Sequence, residues 1–162
     1  MSTLYVDKIT EKTVGNGVQI AGHVVQVVNV TYNTGVNLTA TGSAIETGLA
    51  ATITPKFSTS KILILANQNI QVNGSSYAQI VLRKGTIASN TILAIMSSPE
   101  GYTGSVDHSV NTIPMCYEDS PATTSAVRYF CSMELLHGSS MYAQTSTSGA
   151  SVSTMTLMEI AQ

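Results

Sequence analysis

Hydrophobic and polar residues alternate with a period of two along much of the chain, which is typical of β-strands. Lys61–Val72 is the clearest example. One side of this extended segment carries Ile62, Ile64, Ala66, Ile70 and Val72, and the other carries Leu63, Leu65, Asn67, Asn69 and Gln71. The first half is apolar on both sides, so we predict a strand that starts inside a layered structure and ends towards solvent.

The dipeptide Asn73-Gly74 follows this strand directly. Because both residues tolerate positive φ, it predicts a tight hairpin that returns the chain as a second strand, Tyr77–Arg83. Lys84-Gly85 predicts the next turn, and Thr86–Ile95 continues as strand.

Five further segments show the same alternation and are predicted to be strands. Pro55 ends one of them or confines it to an edge, and the β-branched residues on both sides of the first predict that both of its faces are covered. A helix competes in the fourth because its composition favours one, but the alternation favours a strand. These strands are Gly22–Tyr32, Leu49–Phe57, Val110–Tyr117, Ala126–Leu136 and Ser151–Ala161.

The intervening polar segments are predicted to be loops. Thr34–Gly48 contains short extended pieces at most, and Gly138–Gly149 is small and polar. Ser97–Ser109 is the longest predicted loop and contains Pro99, Gly101 and Gly104. Recognition residues usually lie on loops that a rigid scaffold holds.

About eight strands without a persuasive helix predict an all-β sandwich, most simply a jelly roll of two packed sheets. We interpret residues 1–21 as an extended amino-terminal leader that adds to a partner or threads between subunits, with a disordered terminus as the alternative. Residues 22–162 are interpreted as the jelly-roll domain. An immunoglobulin-like sandwich is the weaker alternative, because the chain contains no Trp for its core.

The composition predicts self-association. Charged residues make up 10% of the 162 residues and hydrophobic residues 43%, whereas about 25% are charged in a typical soluble domain. Because a chain with so few charges exposes apolar surface, we expect much of that surface to be buried against copies of the same chain. The alternative is a neutral monomer coated with Ser and Thr.

Several partners and compartments are not expected. The net charge of −2 and the scattered Lys and Arg residues argue against binding nucleic acid. No run approaches the ~18 apolar residues that membrane insertion requires, and no cleaved export signal is recognisable. We therefore expect synthesis in a cytoplasm.

The residues that usually carry chemistry form no recognisable catalytic or metal-binding motif. Cys116 and Cys131 flank the turn at Asp119–Thr124, and we expect two reduced core thiols, with a disulfide across a hairpin as the alternative. The three histidines lack metal-ligand spacing. Asp107-His108 has no accompanying nucleophile motif, and the carboxylates show no pairing. We predict neither an enzyme nor a cofactor.

Five short motifs occur in a characteristic order from Gly22 to the end of the chain. They are GHVVQV from Gly22, LAATITP from Leu49, SKILI from Ser60, DSPATTS from Asp119 and TLMEIA from Thr156. In this order they resemble a family of bacteriophage virion proteins, common in cyanophages and other marine phages, that form tail-fibre, spike or head-fibre domains. The leader also looks like the short segments that attach such proteins to the particle.

The resemblance implies a homotrimer with a jelly roll similar to those of complement C1q and tumour necrosis factor. It implies a non-enzymatic virion protein that binds other virion proteins through leader residues such as Leu4, Tyr5, Val6 and Ile9. Its trimer would project from the particle and contact a glycan or protein receptor on the host surface.

The candidate receptor-binding residues are Glu100, Tyr102, Asp107 and His108 in the predicted loop Ser97–Ser109, because an aromatic ring beside hydrogen-bonding groups suits sugar recognition. A capsid decoration or cement protein that stabilises the phage head is the alternative function. A glycan depolymerase is a third hypothesis and requires carboxylates clustered between subunits.

Overall fold

A computed structural model of the chain describes residues 8–10, 15, 17–100, 108–145 and 151–162. These residues form ten strands and no helix. The absence of a helix leaves the described residues without a helical membrane span. The strands are β1 (Val24–Tyr32), β2 (Val36–Leu38), β3 (Ala44–Ile53), β4 (Lys61–Asn73), β5 (Tyr77–Gly85), β6 (Asn90–Glu100), β7 (His108–Asp119), β8 (Val127–His137), β9 (Ser140–Ala143) and β10 (Ser153–Ile160).

The strands form two antiparallel sheets packed face to face. The six-stranded sheet has β4 between β7 on one side and both β10 and β9 on the other, and β1 and β2 continue that second side outward. The four-stranded sheet has the order β3-β8-β5-β6. The chain crosses repeatedly from one sheet to the other, which is the arrangement of a jelly roll. The predicted all-β jelly-roll fold is confirmed.

The core lies between the sheets and consists of the inward residues that the alternation identifies. Ile62, Ile64, Ile70 and Val72 of β4 are all fully buried. The inward residues of β5 and β8 face them from the other sheet: Ala78, Ile80 and Leu82, and Tyr129, Cys131, Met133 and Leu135, all with 0% exposure. Burial of each large aliphatic side chain stabilises the fold by about 1.5–3 kcal/mol. The predicted strand assignment of Ala126–Leu136 is confirmed.

The hairpin predicted at Asn73-Gly74 is wrong. A turn does occur there, with Gly74 at a φ of 62°, but β4 belongs to the six-stranded sheet and β5 to the four-stranded sheet. Both strands have an apolar side that must enter the same core, so the chain crosses between sheets instead of pairing the two strands.

Several predicted boundaries also differ from the structure. Strand β3 begins at Ala44 and ends at Ile53, ahead of Pro55. Strand β6 reaches Glu100 and β7 begins at His108, so the predicted loop Ser97–Ser109 is too long at both ends. Strand β2 is one of the short extended pieces allowed for in Thr34–Gly48, whereas β9 is not predicted, because four residues are too few for a period to be read.

The prediction that β1 is covered on both faces is wrong for the single chain. Val28, Val30 and Tyr32 pack against the core, whereas Val27 on the opposite side is 55% exposed. The pattern of β-branched residues identifies a strand, but it does not say whether a second layer of the same chain covers its outer side.

The two cysteines occupy different environments and are not bridged. Cys131 is buried in the core, 3.8 Å from the sulfur of Met115, and burial raises the pKa of its thiol to about 12. Cys116 is exposed on the outer side of β7. The predicted core thiol is therefore confirmed only for Cys131. The turn between β7 and β8 joins different sheets, so the two residues do not face each other across a hairpin.

A buried polar cluster lies where β9 ends and β10 begins along the same edge of β4. Both strands pair with β4, Ala143 with Ile70 and Thr154 with Asn67. Along the chain, residues 144–153 lie between Ala143 and Thr154. Their partners on β4, Ile70 and Asn67, are separated only by Gln68 and Asn69. The sheet therefore needs hydrogen bonds from side chains at this point.

Gln68, Gln144 and Ser153 supply those hydrogen bonds and are all fully buried. The hydroxyl of Ser153 accepts from the backbone N–H of Asn69 at 2.9 Å and from the amide of Gln68 at 3.0 Å. The amide of Gln144 accepts from Ser153 at 2.8 Å and donates to the carbonyl of Thr47 at 3.0 Å. Gln144 has a φ of 50°, which costs about 1–2 kcal/mol for a side chain of this kind.

Candidate functional site

The two ends of the sandwich differ in what they carry. We call the end with Lys61 and Ile160 the proximal end, and the end with Asn73 and His137 the distal end. The chain enters and leaves at the proximal end, where the backbone N–H of Gly22 donates to Ala161 at 2.8 Å. The side chain of Gln19 donates to the carbonyl of Gln162 at 2.9 Å, so this part of the chain runs along the proximal end.

The predicted attachment residues are only partly described. Leu4, Tyr5 and Val6 lie outside the described residues. Ile9 is described and is 58% exposed. An exposed isoleucine is available to a partner, but the role of these four residues stays a prediction.

The predicted receptor-binding residues are also partly described. Tyr102 and Asp107 lie outside the described residues. Glu100 pairs with Ala78 at the end of the four-stranded sheet, and His108 pairs with Asn73 at the beginning of β7 in the six-stranded sheet. Both therefore lie at the distal end, opposite the end where Gln19 and Gly22 contact the sandwich, and their role stays a prediction.

Two aromatic rings at the distal end were not predicted as site residues. Tyr77 and His137 are cross-strand neighbours at the distal end of the four-stranded sheet, where the register shifts between Tyr77 and Ala78. Tyr77 lies on the outer side of β5, because the next residue, Ala78, is buried in the core. Their rings stack with centroids 5.4 Å apart and an angle of 7° between the planes. Strands β6 and β7 lie between these two residues in the sequence, and β7 belongs to the other sheet. Only the pairing of β5 with β8 therefore reveals the ring pair.

The two turns that precede Tyr77 and follow His137 are hydrogen-bonded to each other. Ser76 is fully buried, accepts from the backbone N–H of Ser139 at 2.8 Å and donates to the carbonyl of Asn73. Gly138 has a φ of 104°, and a Cβ there would lie 2.0 Å from the hydroxyl of Ser76. Glycine is therefore required at 138, and the turns on either side of the rings are held together by hydrogen bonds.

A polar pair lies beside the rings on the same face. The amide of Gln79 donates to the carboxylate of Glu134 at 2.5 Å. Residues 77 and 79 are two positions apart on β5, so their side chains point to the same side of the sheet. The distal part of this face therefore combines flat rings with hydrogen-bonding groups.

The proximal part of the same outer face carries an ion pair. Arg128 donates to both carboxylate oxygens of Glu46, at 3.0 and 2.7 Å. The hydrogen bond and positive charge of Arg128 outweigh desolvation and lower the pKa of Glu46. The Arg128 guanidinium also lies 4.7 Å from the centre of the Phe130 ring and helps to bury it.

Asp119 ties the two sheets together at the proximal end. It belongs to β7 and accepts from Lys84 at 2.9 Å and from the Tyr129 hydroxyl at 2.7 Å, both on the four-stranded sheet. Burial and the hydrogen bond to this carboxylate raise the pKa of Tyr129. The arrangement is a structural tie, because all three groups satisfy one another.

The outer face of the six-stranded sheet is almost free of charge in its described part. Rows of facing residues run across β1, β10, β4 and β7. An ion pair between Lys61 and Glu118, 2.7 Å long, lies at its proximal end. A shallow depression in this face is lined by Leu65, Asn67, Pro114 and Cys116 among others. Across β1, β10 and β4, one row of facing residues is Val27, Met158 and Leu63. The next two rows are Asn29, Thr156 and Leu65, and then Thr31, Thr154 and Asn67.

The described residues contain no group of three His, Cys, Asp or Glu side chains that could hold a metal ion. His23 lies at the proximal end, where its carbonyl accepts from Ala161, and His137 lies at the distal end. The possible acid–base pair Asp107-His108 is not tested, because Asp107 lies outside the described residues.

Comparison with known proteins identifies a fold but no family. No protein-family model matches the sequence, and no curated protein matches it. A chain in a structure of infectious bursal disease virus, Gt strain, matches with a TM-score of 0.51 and 11% identity over 98% of this chain and 43% of the viral chain. A crystal structure of the infectious bursal disease virus VP2 subviral particle matches with a TM-score of 0.48 and 13% identity over 85% of this chain and 38% of that one.

The chain spans less than half the length of these viral chains. At 11% identity the likeness concerns the fold and not the activity. The structure and the Gt-strain match therefore agree on an all-β sandwich of two antiparallel sheets, a fold that also occurs in a virus structure.

Proposed function

We propose that this chain is a non-enzymatic structural protein of a bacteriophage virion. In this proposal it is an appendage of the fibre or spike class, assembles as a homotrimer and attaches the particle to the host surface. The sequence resemblance to phage fibre and spike proteins and the sandwich fold shared with a virus structure support the proposal.

The observation that carries the proposal is that the predicted attachment and receptor-binding regions adjoin opposite ends of the sandwich. Residues 17–23, which follow the leader, lie at the proximal end beside Ala161 and Gln162. Glu100 and His108, which bracket the predicted receptor loop, lie at the distal end. An appendage must be held at one end and present its recognition surface at the other, and the location of these residues at opposite ends supports such a role.

The outer face of the six-stranded sheet supports self-assembly. Val27 and Val110 are 55% and 59% exposed in the single chain, and Leu65 is 37% exposed. Apolar side chains on an uncharged sheet face are removed from water when another subunit covers them. This face is therefore the proposed contact between copies.

Adsorption competition tests the attachment role. The full-length protein is purified, its size is measured by sedimentation, and it is added to host cells before the phage that encodes it. We expect trimers that bind the cells and slow phage adsorption, with a heat-unfolded sample as the control.

Failure to bind cells and to slow adsorption would contradict the attachment role. Binding to phage heads that lack the protein, with increased resistance of those heads to heat, would instead favour the decoration or cement function. Release of sugar from host polysaccharide would favour the depolymerase.

A further inference from the structure

We propose that the distal part of the outer face of the four-stranded sheet binds an uncharged pyranose sugar. The site consists of the stacked rings of Tyr77 and His137 and the polar pair of Gln79 and Glu134. This inference rests on the proposed attachment function and deepens it, because it places a glycan site on the sheet face and not only on the loop after Glu100.

The rings provide an apolar plane for a sugar. Because Tyr77 and His137 stack on each other, each ring uses one face for its neighbour and has the other turned away. His137 is exposed, and its strand β8 is bordered on that side by the connection into β3. A Cβ built on Gly42 in this connection would meet no atom within 4 Å, so the space at Gly42 itself is open.

The exposed ring is held in place before any ligand arrives. Nδ1 of His137 lies 3.2 Å from the carbonyl oxygen of Ser75. A carbonyl oxygen only accepts hydrogen bonds, so this contact is a hydrogen bond in the tautomer that carries its proton on Nδ1, and it then favours this ring orientation. Stacking on Tyr77 fixes it from the other side. A ring that is already ordered loses little conformational entropy when it binds.

The polar pair lies within reach of a sugar on these rings. Residues two apart on a strand are separated by about 7 Å, so Gln79 lies next to Tyr77 on the same face. Glu134 faces Gln79 on one side and the small residue Ala44 on the other. A carboxylate has lone pairs for about four hydrogen bonds. It can therefore accept from sugar hydroxyls as well as from Gln79.

The charge of the pair selects the class of sugar. Glu134 places a negative charge beside the rings, and Gln79, which donates to it, is neutral. Like charges brought together at an interface are strongly unfavourable. The site should therefore take neutral hexopyranosides and reject uronic or sialic acids.

The test is a nuclear magnetic resonance titration of the full-length protein with methyl glycosides of glucose, galactose, mannose and N-acetylglucosamine, and with methyl glucuronide. We expect at least one neutral glycoside to bind with a dissociation constant on the order of 1 mM, as isolated sugar subsites do. His137→Ala should weaken binding about tenfold, since it removes one stacking ring. His137→Tyr restores a ring and should recover most of the affinity.

Two further variants separate the site from the fold. Glu134→Gln should relax discrimination, so that methyl glucuronide binds within about threefold of the neutral sugar, because the repelling charge is gone. His23→Ala, at the proximal end, is the matched histidine control and should leave binding unchanged. Thermal unfolding confirms that each variant is folded.

The inference is overturned if the wild-type protein binds none of the neutral glycosides, or if His137→Ala binds as tightly as wild type. It is also overturned if cell binding persists after the surface glycans are removed and is lost after protease treatment, which would identify a protein receptor. The attachment role survives these results as long as the protein still slows phage adsorption, so the two proposals fail separately.

Discussion

The two outer faces of the sandwich differ in how they use the few charged residues of the chain. The six-stranded face has one ion pair in its described part, Lys61 with Glu118, and its rows are otherwise uncharged. The four-stranded face has the bidentate pair of Arg128 with Glu46, and the pair of Gln79 with Glu134. Each face therefore has one ion pair in its described part, and the four-stranded face has the additional polar pair of Gln79 with Glu134.

This difference teaches that composition alone does not describe a surface. The low overall charge predicts self-association, but it is the strand register that assigns the uncharged surface to the six-stranded sheet. The outer face of the four-stranded sheet is not uniformly exposed to water. Val81, Phe130 and Ser132 on this face are at most 1% exposed, whereas Ile92 and Ile95 on its edge strand β6 are 52% and 54% exposed. We therefore expect matched substitutions on the two faces to have very different effects.

The largest effect is expected from a charge placed on the six-stranded face. Leu65→Glu should weaken the assembly about a thousandfold, or about 4 kcal/mol, because each copy brings a charge into an uncharged contact. Ile95→Glu is the matched variant on the four-stranded face, where Ile95 is 54% exposed, and should leave the assembly intact. Sedimentation velocity at several concentrations measures both.

The opposite result, with Ile95→Glu dissociating the assembly and Leu65→Glu not, would assign the contact to the four-stranded face. Unfolded protein in either sample would be visible by circular dichroism, so loss of fold is distinguished from loss of contact.

A smaller effect, on the free energy of unfolding, is expected from the contacts of Asp119 between the two sheets. Asp119→Asn should lower the free energy of unfolding by about 2–3 kcal/mol, because Lys84 and Tyr129 both lose their charged acceptor in a largely buried place. Urea unfolding at fixed protein concentration measures it. Thr124→Ala, at an exposed position in the turn after β7, is the control and should change stability by less than about 0.5 kcal/mol. Equal effects of the two would contradict the tie.

The smallest effect is expected from the ion pair on the four-stranded face. Because Arg128 lowers the pKa of Glu46 in the folded protein, the pair stabilises the fold above the pKa of an unfolded glutamate and loses this effect as pH falls. Glu46→Gln should therefore cost about 0.5–1 kcal/mol at neutral pH and less at pH 3, given the usual strength of partly exposed pairs.

Urea unfolding of wild type and Glu46→Gln at both pH values tests this dependence. The matched variant Glu118→Gln breaks a single contact between more exposed groups on the other face, so its cost should be smaller still. A Glu46→Gln difference that stays constant with pH would show that the ion pair does not contribute through its charge.

The sequence predicted the strands well and their partners less well. Alternation identified the inward residues of β4, all of which are buried, because a period of two depends only on the local chain. The prediction of a hairpin at Asn73-Gly74 failed because a turn motif specifies the local backbone conformation. It does not specify which sheet the next strand joins. Gln68, in the inward row of β4, is buried only because Ser153 and Gln144 reach it from distant parts of the chain.

The candidate site was predictable only as a region. Glu100 and His108 do lie at one end of the sandwich, as expected of residues that bracket one connection. The ring pair of Tyr77 and His137 was missed because neither residue is unusual alone. Sixty positions of sequence separate them, and no local pattern records that β5 lies beside β8.

The interruption between β9 and β10 has a consequence for how this protein can change. Gln144 and Ser153 seal the sheet on both sides of the interruption, so the register of β4 does not depend on how many residues lie between them. Segments inserted there add length without shifting a neighbouring strand. We expect this position to accommodate an affinity tag or a foreign epitope, and to be a point where related chains diverge in length.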